Sequence, residues 1–365
     1  MKTWRHDVPY NDLAAPPLMD TLETRAVLKA AIAANAALAQ LDQAAMSMPN
    51  PAVLINTIPL LEAQASSEIE NIVTTTDELF RHMADEGIAA DQATRETLRC
   101  RSALRAGFDA VHSRGVTVAT AEDVCSTIHG RDMSVRSFPG TRIANPRTGE
   151  VIYSPPEGRD VLRHQLAEWE QFIHADDGMD TLVRLAAAHY QFEAIHPFND
   201  GNGRTGRILN VLMLVEAGML RLPVLYLSSY IIQTKSDYYR LLLAVTARGE
   251  WEQWILYVLK GIENTSRATV VKIEAIRVLQ EDFARRARAA SKGGGDAEML
   301  AVLFEQPYCR IATVIDRCGV SRPTATRWLA ELAEGGLVED HKVGRDRLFI
   351  NREFLNLLTR KGDLV

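Results

Sequence analysis

The sequence predicts a mainly α-helical protein with two small β-hairpins, the second serving as the wing of a C-terminal helix-turn-helix. Three observations carry that reading. Ala- and Leu-rich runs place apolar residues at helical spacing, strand-like segments are short and confined to residues near 148–153 and 337–350, and 47% of the 365 residues are hydrophobic. That length points to two or three domains.

The elements follow in order. From Leu22 to about Ala45 the chain favours helix, and a proline-containing turn, Met48-Pro49-Asn50-Pro51, leads into a segment bearing Ser66, Glu70 and Asn71. On a helix Ser66 and Glu70, four apart, share a face. Residues 1–96 are expected to form an N-terminal helical region, and residues 97–290 a helical core with the helices that follow it. Within the core, Thr148, Gly149, Glu150, Val151, Ile152 and Tyr153, followed by Pro155-Pro156, read as a hairpin with its turn near residues 146–149. Thr181 to Ile195 favours helix, and Pro197 pushes His196 out of it. Ile208, Leu209, Val211, Leu212, Leu214 and Val215 make the next apolar helix. His189 and the aromatic run from Trp251 to Tyr257 read as core, and His174 to Asp177 as a loop after a helix. A charge-rich helical stretch, Lys272 to Ala290, ends in the clearest linker, Ser291-Lys292-Gly293-Gly294-Gly295.

Residues 296–365 read as a winged helix-turn-helix. Ile311, Val314, Ile315 and Cys318 line one short helix, Gly319 supplies the turn, and Ser321 is placed as N-cap of the next. There Ala325, Trp328, Leu329 and Leu332 face inward, and Gly335-Gly336 ends the helix before a hairpin around residues 343–346. A DNA-binding reading puts Arg345 and Arg347 on the wing near phosphate. Ten Lys or Arg against eleven Asp or Glu from residue 296 onward leave this part at −1, short of the basic excess of a strong DNA reader. Such modules also dock proteins and form dimers, so both readings stand.

One stretch concentrates chemistry: HPFNDGNGRTGR, from His196 to Arg207. His196, with an ordinary pKa near ~6.5, can take a proton at neutral pH. Asp200 offers an oxygen ligand of the kind Mg²⁺ uses beside substrate phosphates. Gly201, Asn202 and Gly203 can turn successive N–H groups into one concavity at a helix N-terminus, a natural anion site. Arg204 and Arg207, three apart, can approach one polyphosphate from the same side.

This stretch resembles the signature of the Fic family, HPFx(D/E)GNGRxxR, at every specified position. The resemblance implies transfer of AMP from ATP to a Ser, Thr or Tyr hydroxyl of a target protein, with self-modification as one outcome. It makes His196 the base and Asp200 the Mg²⁺ ligand. Gly201, Asn202, Gly203, Arg204, Thr205, Gly206 and Arg207 then hold ATP, and Phe198 anchors the loop. Ser66, Glu70 and Asn71 match the family's inhibitory pattern S/T-x-x-x-E-G/N, in which Glu70 would pair with Arg207 and spoil the ATP pose. The hairpin would be a flap that holds the target by strand pairing. Tyr238 and Tyr239 match a pair that borders the adenosine in relatives, Tyr239 being the expected ligand. A homodimer is also implied by relatives. The competing function is a transcriptional regulator that binds DNA through the winged helix and only senses nucleotide; loss of the base would spare sensing and abolish transfer.

Composition narrows the field further. The formal charge of −6 gives no global attraction to nucleic acid or anionic lipid, and no apolar run is long enough to span a bilayer. Cys100, Cys125, Cys309 and Cys318 form no CxxC pair, and no Walker A sequence occurs. With no apolar signal region at the N-terminus, a cytoplasmic protein is expected.

Overall fold

The computed structural model describes residues 4–84, 90–145, 147–343 and 346–360. A four-residue turn, α1 (Met19–Leu22), precedes α2 (Arg25–Met46), which Thr24 opens by accepting the Val27 N–H on its hydroxyl. Val27, Ala31, Ala34, Leu38, Leu41 and Ala45 recur at spacings of four and three and form one buried stripe. α3 (Ala52–Ile69) tolerates Pro59 and ends with Glu70 as its C-cap. Its middle is pinned by the buried Glu62 carboxylate, which accepts the Ser228 N–H at 3.0 Å and the Ser228 hydroxyl. Burial pushes that carboxyl up to about 7. α4 (Thr76–Ala84) follows, then α5 (Gln92–Arg114), capped by Asp91 Oδ1 on the Thr94 N–H at 2.7 Å. α5 runs unbroken past residue 96, so the expected boundary at 96/97 falls inside one helix. α6 (Val118–His129) stops at Gly130, whose φ of 65° closes the helix in the left-handed region.

The flap is a minimal hairpin. β1 (Ile143–Ala144) pairs antiparallel with β2 (Val151–Tyr153), Ile143 opposite Tyr153 and Ala144 opposite Val151. Thr148, Gly149 and Glu150 lie in its turn, where the Gly149 N–H donates to Asn145 O and the Asn145 N–H to Glu150 O, both at 2.8 Å. Pro146, expected in this turn, lies outside the described residues.

α7 (Arg159–Ile173), α8 (Thr181–Ile195) and α9 (Asn202–Glu216) form the centre, and almost every residue of α8 and α9 is buried. The expected loop after α7 is present, with Asp177 bound to Arg184. α10 (Ser228–Gln233) and α11 (Lys235–Arg248) lead into α12 (Trp251–Ala290), a single helix of 40 residues. The charge-rich stretch is therefore the second half of the core helix. No proline interrupts it, and its single glycine, Gly261, makes room for the Tyr230 ring. α12 lies along α2 and also touches α8, with Trp254 wholly buried.

The expected linker is a packed joint instead. Gly293 and Gly294 are buried in a 3₁₀ turn, where a Cβ on Gly294 would overlap Ala287 O and one on Gly293 would overlap the Trp328 ring. The glycines supply close approach, not slack. Beyond them come α13 (Ala297–Glu305), β3 (Tyr308–Arg310), α14 (Ile311–Cys318), α15 (Arg322–Glu334), β4 (Glu339–Val343), β5 (Asp346–Ile350) and α16 (Arg352–Thr359). The strands order β3-β5-β4, all antiparallel. Residues 308–310 and the flanking helices add to the predicted elements, because a three-residue strand is too short to show alternation. Gly319 makes the turn at φ 63°, but the Ser321 hydroxyl pairs with that of Thr324 at 3.0 Å and caps no backbone N–H. Gly344 and Arg345 of the wing lie outside the described residues. This unit is seated on the rest through the Tyr308 hydroxyl on Asp77, Lys272 Nζ donating to Leu358 O at 2.9 Å, and α13 against α3.

Replacing Gly294 with Ala should cost about 1–3 kcal/mol through overpacking. The check is a lowered denaturation midpoint of the full chain, while Gly295→Ala, whose Cβ would meet only the Arg288 side chain at 3.6 Å, should give a smaller loss.

Candidate active site

α8 ends and α9 begins on opposite sides of one short loop, and a cavity of about 610 Å³ opens beside it. His196, Gly203 and Arg207 line the cavity, with Glu70 and Asn71 from the end of α3, Ile143, Ala144, Ile152 and Tyr153 from the flap, and Tyr239 from α11.

His196 takes a left-handed backbone, φ 51° and ψ 59°, one of two non-glycine residues with positive φ among those described. That conformation costs roughly 1–2 kcal/mol, and Pro197 disfavours the right-handed alternative. The turn is held from outside: the His196 carbonyl accepts Arg136 Nε at 2.8 Å, and the Arg136 N–H donates to Pro197 O at 2.9 Å. Burial pushes the imidazole down to about 4, aided by the Arg136 cation and opposed by the Glu193 backbone, Glu70 and Asp200. His196 is thus neutral near pH 7 and able to accept a proton.

The loop closes on itself. Phe198 is fully buried, its N–H donating to Asn202 Oδ1 at 2.8 Å while Asn202 Nδ2 donates to Phe198 O at 2.7 Å. Gly201 takes φ 82°, and a Cβ there would lie 2.7 Å from His129 Nε2. Asp200 accepts the Gly201 N–H on Oδ1 at 2.7 Å, and its side chain is 70% exposed. Among the described residues no group of three or more His, Cys, Asp or Glu could hold a metal alone. A lone exposed carboxylate beside an anion site fits Mg²⁺ that arrives with phosphates.

At the N-terminus of α9 an anion is already in place. Glu70 Oε1 accepts Arg207 Nη2 at 2.9 Å, and a Cβ on Gly203 would overlap that same oxygen. Ser66 completes the grip: its hydroxyl accepts Arg207 Nε and its carbonyl accepts Nη2, each at 2.9 Å. Burial alone would lower the Arg207 pKa, but Glu70 above all, with Tyr238 and Glu193, raises it. Asn71, at φ 63°, accepts Lys235 Nζ at 3.2 Å.

Other expected ligands point elsewhere. Arg204 is 2% exposed, pairs with Glu96 at 3.2 Å and stands 3.9 Å from Asp200, away from the cavity lining. Thr205 is fully buried, and Gly206 faces α8, where a Cβ would lie 2.8 Å from Glu193 Oε1 and 3.2 Å from Phe192. These two serve helix packing, because their positions turn them inward from the first turn of α9. Tyr239 is half-exposed in the cavity, whereas Tyr238 is buried and bonded to His189 Nε2 at 2.9 Å. The flap turn residues Thr148, Gly149 and Glu150 and the strand residue Val151 do not line the cavity. Glu193 and Arg136 were missed by the sequence reading. Glu193 lies one turn before His196, and burial pushes its carboxyl up to about 7; Arg136 carries no local signal.

Three family models match the chain in order: the Fic/DOC family N-terminal region over residues 28–109, the Fic/DOC family over 119–214, and the SoFic-like protein adenylyltransferase C-terminal domain over 279–354. Among curated proteins, protein adenylyltransferase fic-1 of Caenorhabditis briggsae is 33% identical over 110 residues, 30% of this chain and 20% of its own. A probable protein adenylyltransferase of Aquifex aeolicus is 37% identical over 81 residues, 22% of this chain and 24% of its own. The chain thus spans about a fifth to a quarter of these relatives. Among solved structures, a Fic family protein from Desulfovibrio desulfuricans G20 superposes with a TM-score of 0.57 at 20% identity, covering 93% of this chain and 98% of the other. Residues 134–508 of Caenorhabditis elegans Fic-1 give 0.51 at 19% identity, covering 69% and 74%. At these identities the structures speak for the fold.

Burial also pushes His189 down to about 3. Both histidines stay neutral in the fold while the unfolded chain takes protons below about pH 6.5, so their contribution to stability is lost as pH falls from there toward 4 and 3. Glu62 and Glu193, with raised pKa values, act in the opposite sense between about pH 7 and their unfolded values. His189→Gln should therefore gain on the parent by about 1.4 kcal/mol per pH unit below pH 6.5, read as the difference in denaturation midpoints from pH 7.5 to 5.

Proposed function

The chain belongs to the Fic/DOC family, and from that premise we propose that it is a protein adenylyltransferase restrained by its own Glu70. The observation that carries this reading is the Glu70 carboxylate against Arg207 and Gly203, in one cavity with a neutral His196. A negative group at the α9 N-terminus is what a phosphate would replace.

The residues divide the work. A target hydroxyl attacks the α-phosphorus of ATP, and His196 accepts its proton; pyrophosphate leaves on the side of Arg207. N–H groups at the start of α9 and the Arg207 cation stabilise charge on the phosphate oxygens, since phosphoryl-type transfer depends on positioning and electrostatics. Asp200 would hold Mg²⁺, which when bound would neutralise phosphate charge. Arg204, tied to Glu96, supports the loop and leaves Arg207 as the principal phosphate ligand. Tyr239 borders the nucleoside. The three residues of β2 offer main-chain pairing that holds a target segment while reading little of its sequence. With Glu70 in place, Arg207 is occupied and ATP enters, if at all, in a pose unfit for in-line attack.

The C-terminal unit we read as a winged helix that docks protein, either a target or a second copy of the chain. Among the described residues here, Asp340 neutralises Arg347 on the wing and Glu339 pairs with Arg352 of α16 at 2.7 Å, so these two arginines are already partnered within the fold. Among the described residues no helix is long and apolar enough to cross a membrane. The four cysteines are free, in keeping with a reducing, cytoplasmic setting.

Intact mass spectrometry after incubation with ATP and Mg²⁺ tests the reading. Glu70→Gly should gain an adenylyl unit that the parent gains slowly or not at all. Adding His196→Ala should abolish the gain while ATP binding persists. A double variant that still transfers would remove His196 as the base, and no gain by Glu70→Gly, alone or with candidate targets, would favour nucleotide sensing.

A further inference from the structure

Arg136 lies between α6 and the flap, outside any helix or strand, and is 2% exposed. Its guanidinium reaches three main-chain carbonyls. Nε donates to His196 O at 2.8 Å, and Nη2 donates to Ile195 O at 3.2 Å and to Pro156 O at 2.5 Å. Ile195 and His196 end α8, where carbonyls have no intrahelical partner and carry the negative end of the helix dipole. Pro156 follows β2 by three residues, on the segment by which the chain leaves the flap. One buried side chain therefore joins the turn bearing the base to the segment that follows the strand proposed to hold the target.

We infer that Arg136 is a positioning residue for the proposed transfer, capping α8 so that His196 keeps its left-handed turn and fixing the flap exit to that same turn. The consequence for rate rests on the adenylyl-transfer reading; the bridge itself does not. A planar fork can serve three carbonyls at once, whereas a lysine ammonium is a single point on a flexible stem. Charge adds a second role. Glu70 from α3 and Asp200 from the loop favour a protonated His196, as does the Glu193 backbone on α8; Arg136 opposes them. Without it the base would hold its proton to higher pH.

The test uses the full chain in the Glu70→Gly background, comparing Arg136→Met and Arg136→Lys for adenylyl incorporation against pH and for binding of a non-hydrolysable ATP analogue. Arg136→Met should lower kcat about tenfold or more, leave analogue affinity within about threefold, and move the acid limb of the rate profile up by about one pH unit, a differential charge effect of one decade. Arg136→Lys should keep the acid limb in place yet still lose kcat severalfold, separating the bridge from the charge. An unmoved acid limb in Arg136→Met with kcat within twofold of its parent overturns the inference, as does a kcat loss that only follows a lost folded fraction by circular dichroism. If Arg136→Met does not fold, Arg136→Lys decides alone, and kcat within twofold of the parent overturns the bridge. If the Glu70→Gly parent itself transfers nothing, the functional reading has failed separately. The imidazole titration of His196 by NMR, assigned with His196→Ala, then decides: an upward shift in Arg136→Met sustains the inference, and an unchanged titration overturns it.

Discussion

A guanidinium taken out of water must be given acceptors, and the site is organised around that demand at Arg207. Its 2% exposed side chain finds Ser66 Oγ, Ser66 O and Glu70 Oε1, all from the last turn of α3 or its cap. The requirement reaches backward through α3 to Glu62, whose bonds to Ser228 hold that helix on α10. It reaches forward to Gly203, where any side chain would collide with the Glu70 carboxylate. A buried cation left without its carboxylate is strongly destabilising, so whatever displaces Glu70 has to bring negative charge of its own. Polyphosphate meets that condition; a neutral ligand does not.

Two helix ends provide the rest. The carbonyl end of α8 and the N–H end of α9 face the same cavity with opposite partial charge. The first is offset by Arg136 and keeps a neutral imidazole; the second attracts an anion. His196 and the anion seat are therefore kept electrically distinct although only six residues separate His196 from Gly203.

What was legible in the sequence was what is local. Residues 196–207 form a contiguous loop whose glycines, proline and flanking apolar runs state their own backbone, and Ser66 and Glu70 lie one helical turn apart. Their pairing with Arg207 spans more than 130 residues and was reachable only through the family resemblance. Arg204 shows the limit: its spacing from Arg207 invites a shared ligand, yet Glu96, 108 residues earlier, claims it. The glycine run misled for a related reason, since composition alone does not distinguish a spacer from a place where backbone presses on backbone. Arg136 had no pattern to be found by, because its acceptors are carbonyls that any residue carries.

The long α12 also sets an order on biosynthesis. The apolar stripe of α2 lies against a helix that is complete only at residue 290, so it waits for more than 240 residues of further chain. At ~5–20 residues per second that interval is roughly 12–50 s, during which Val27, Leu38 and Leu41 lack their principal cover. A chain that ends before α12 would leave this stripe without its main partner, so the last helix of the core is also the one that closes it.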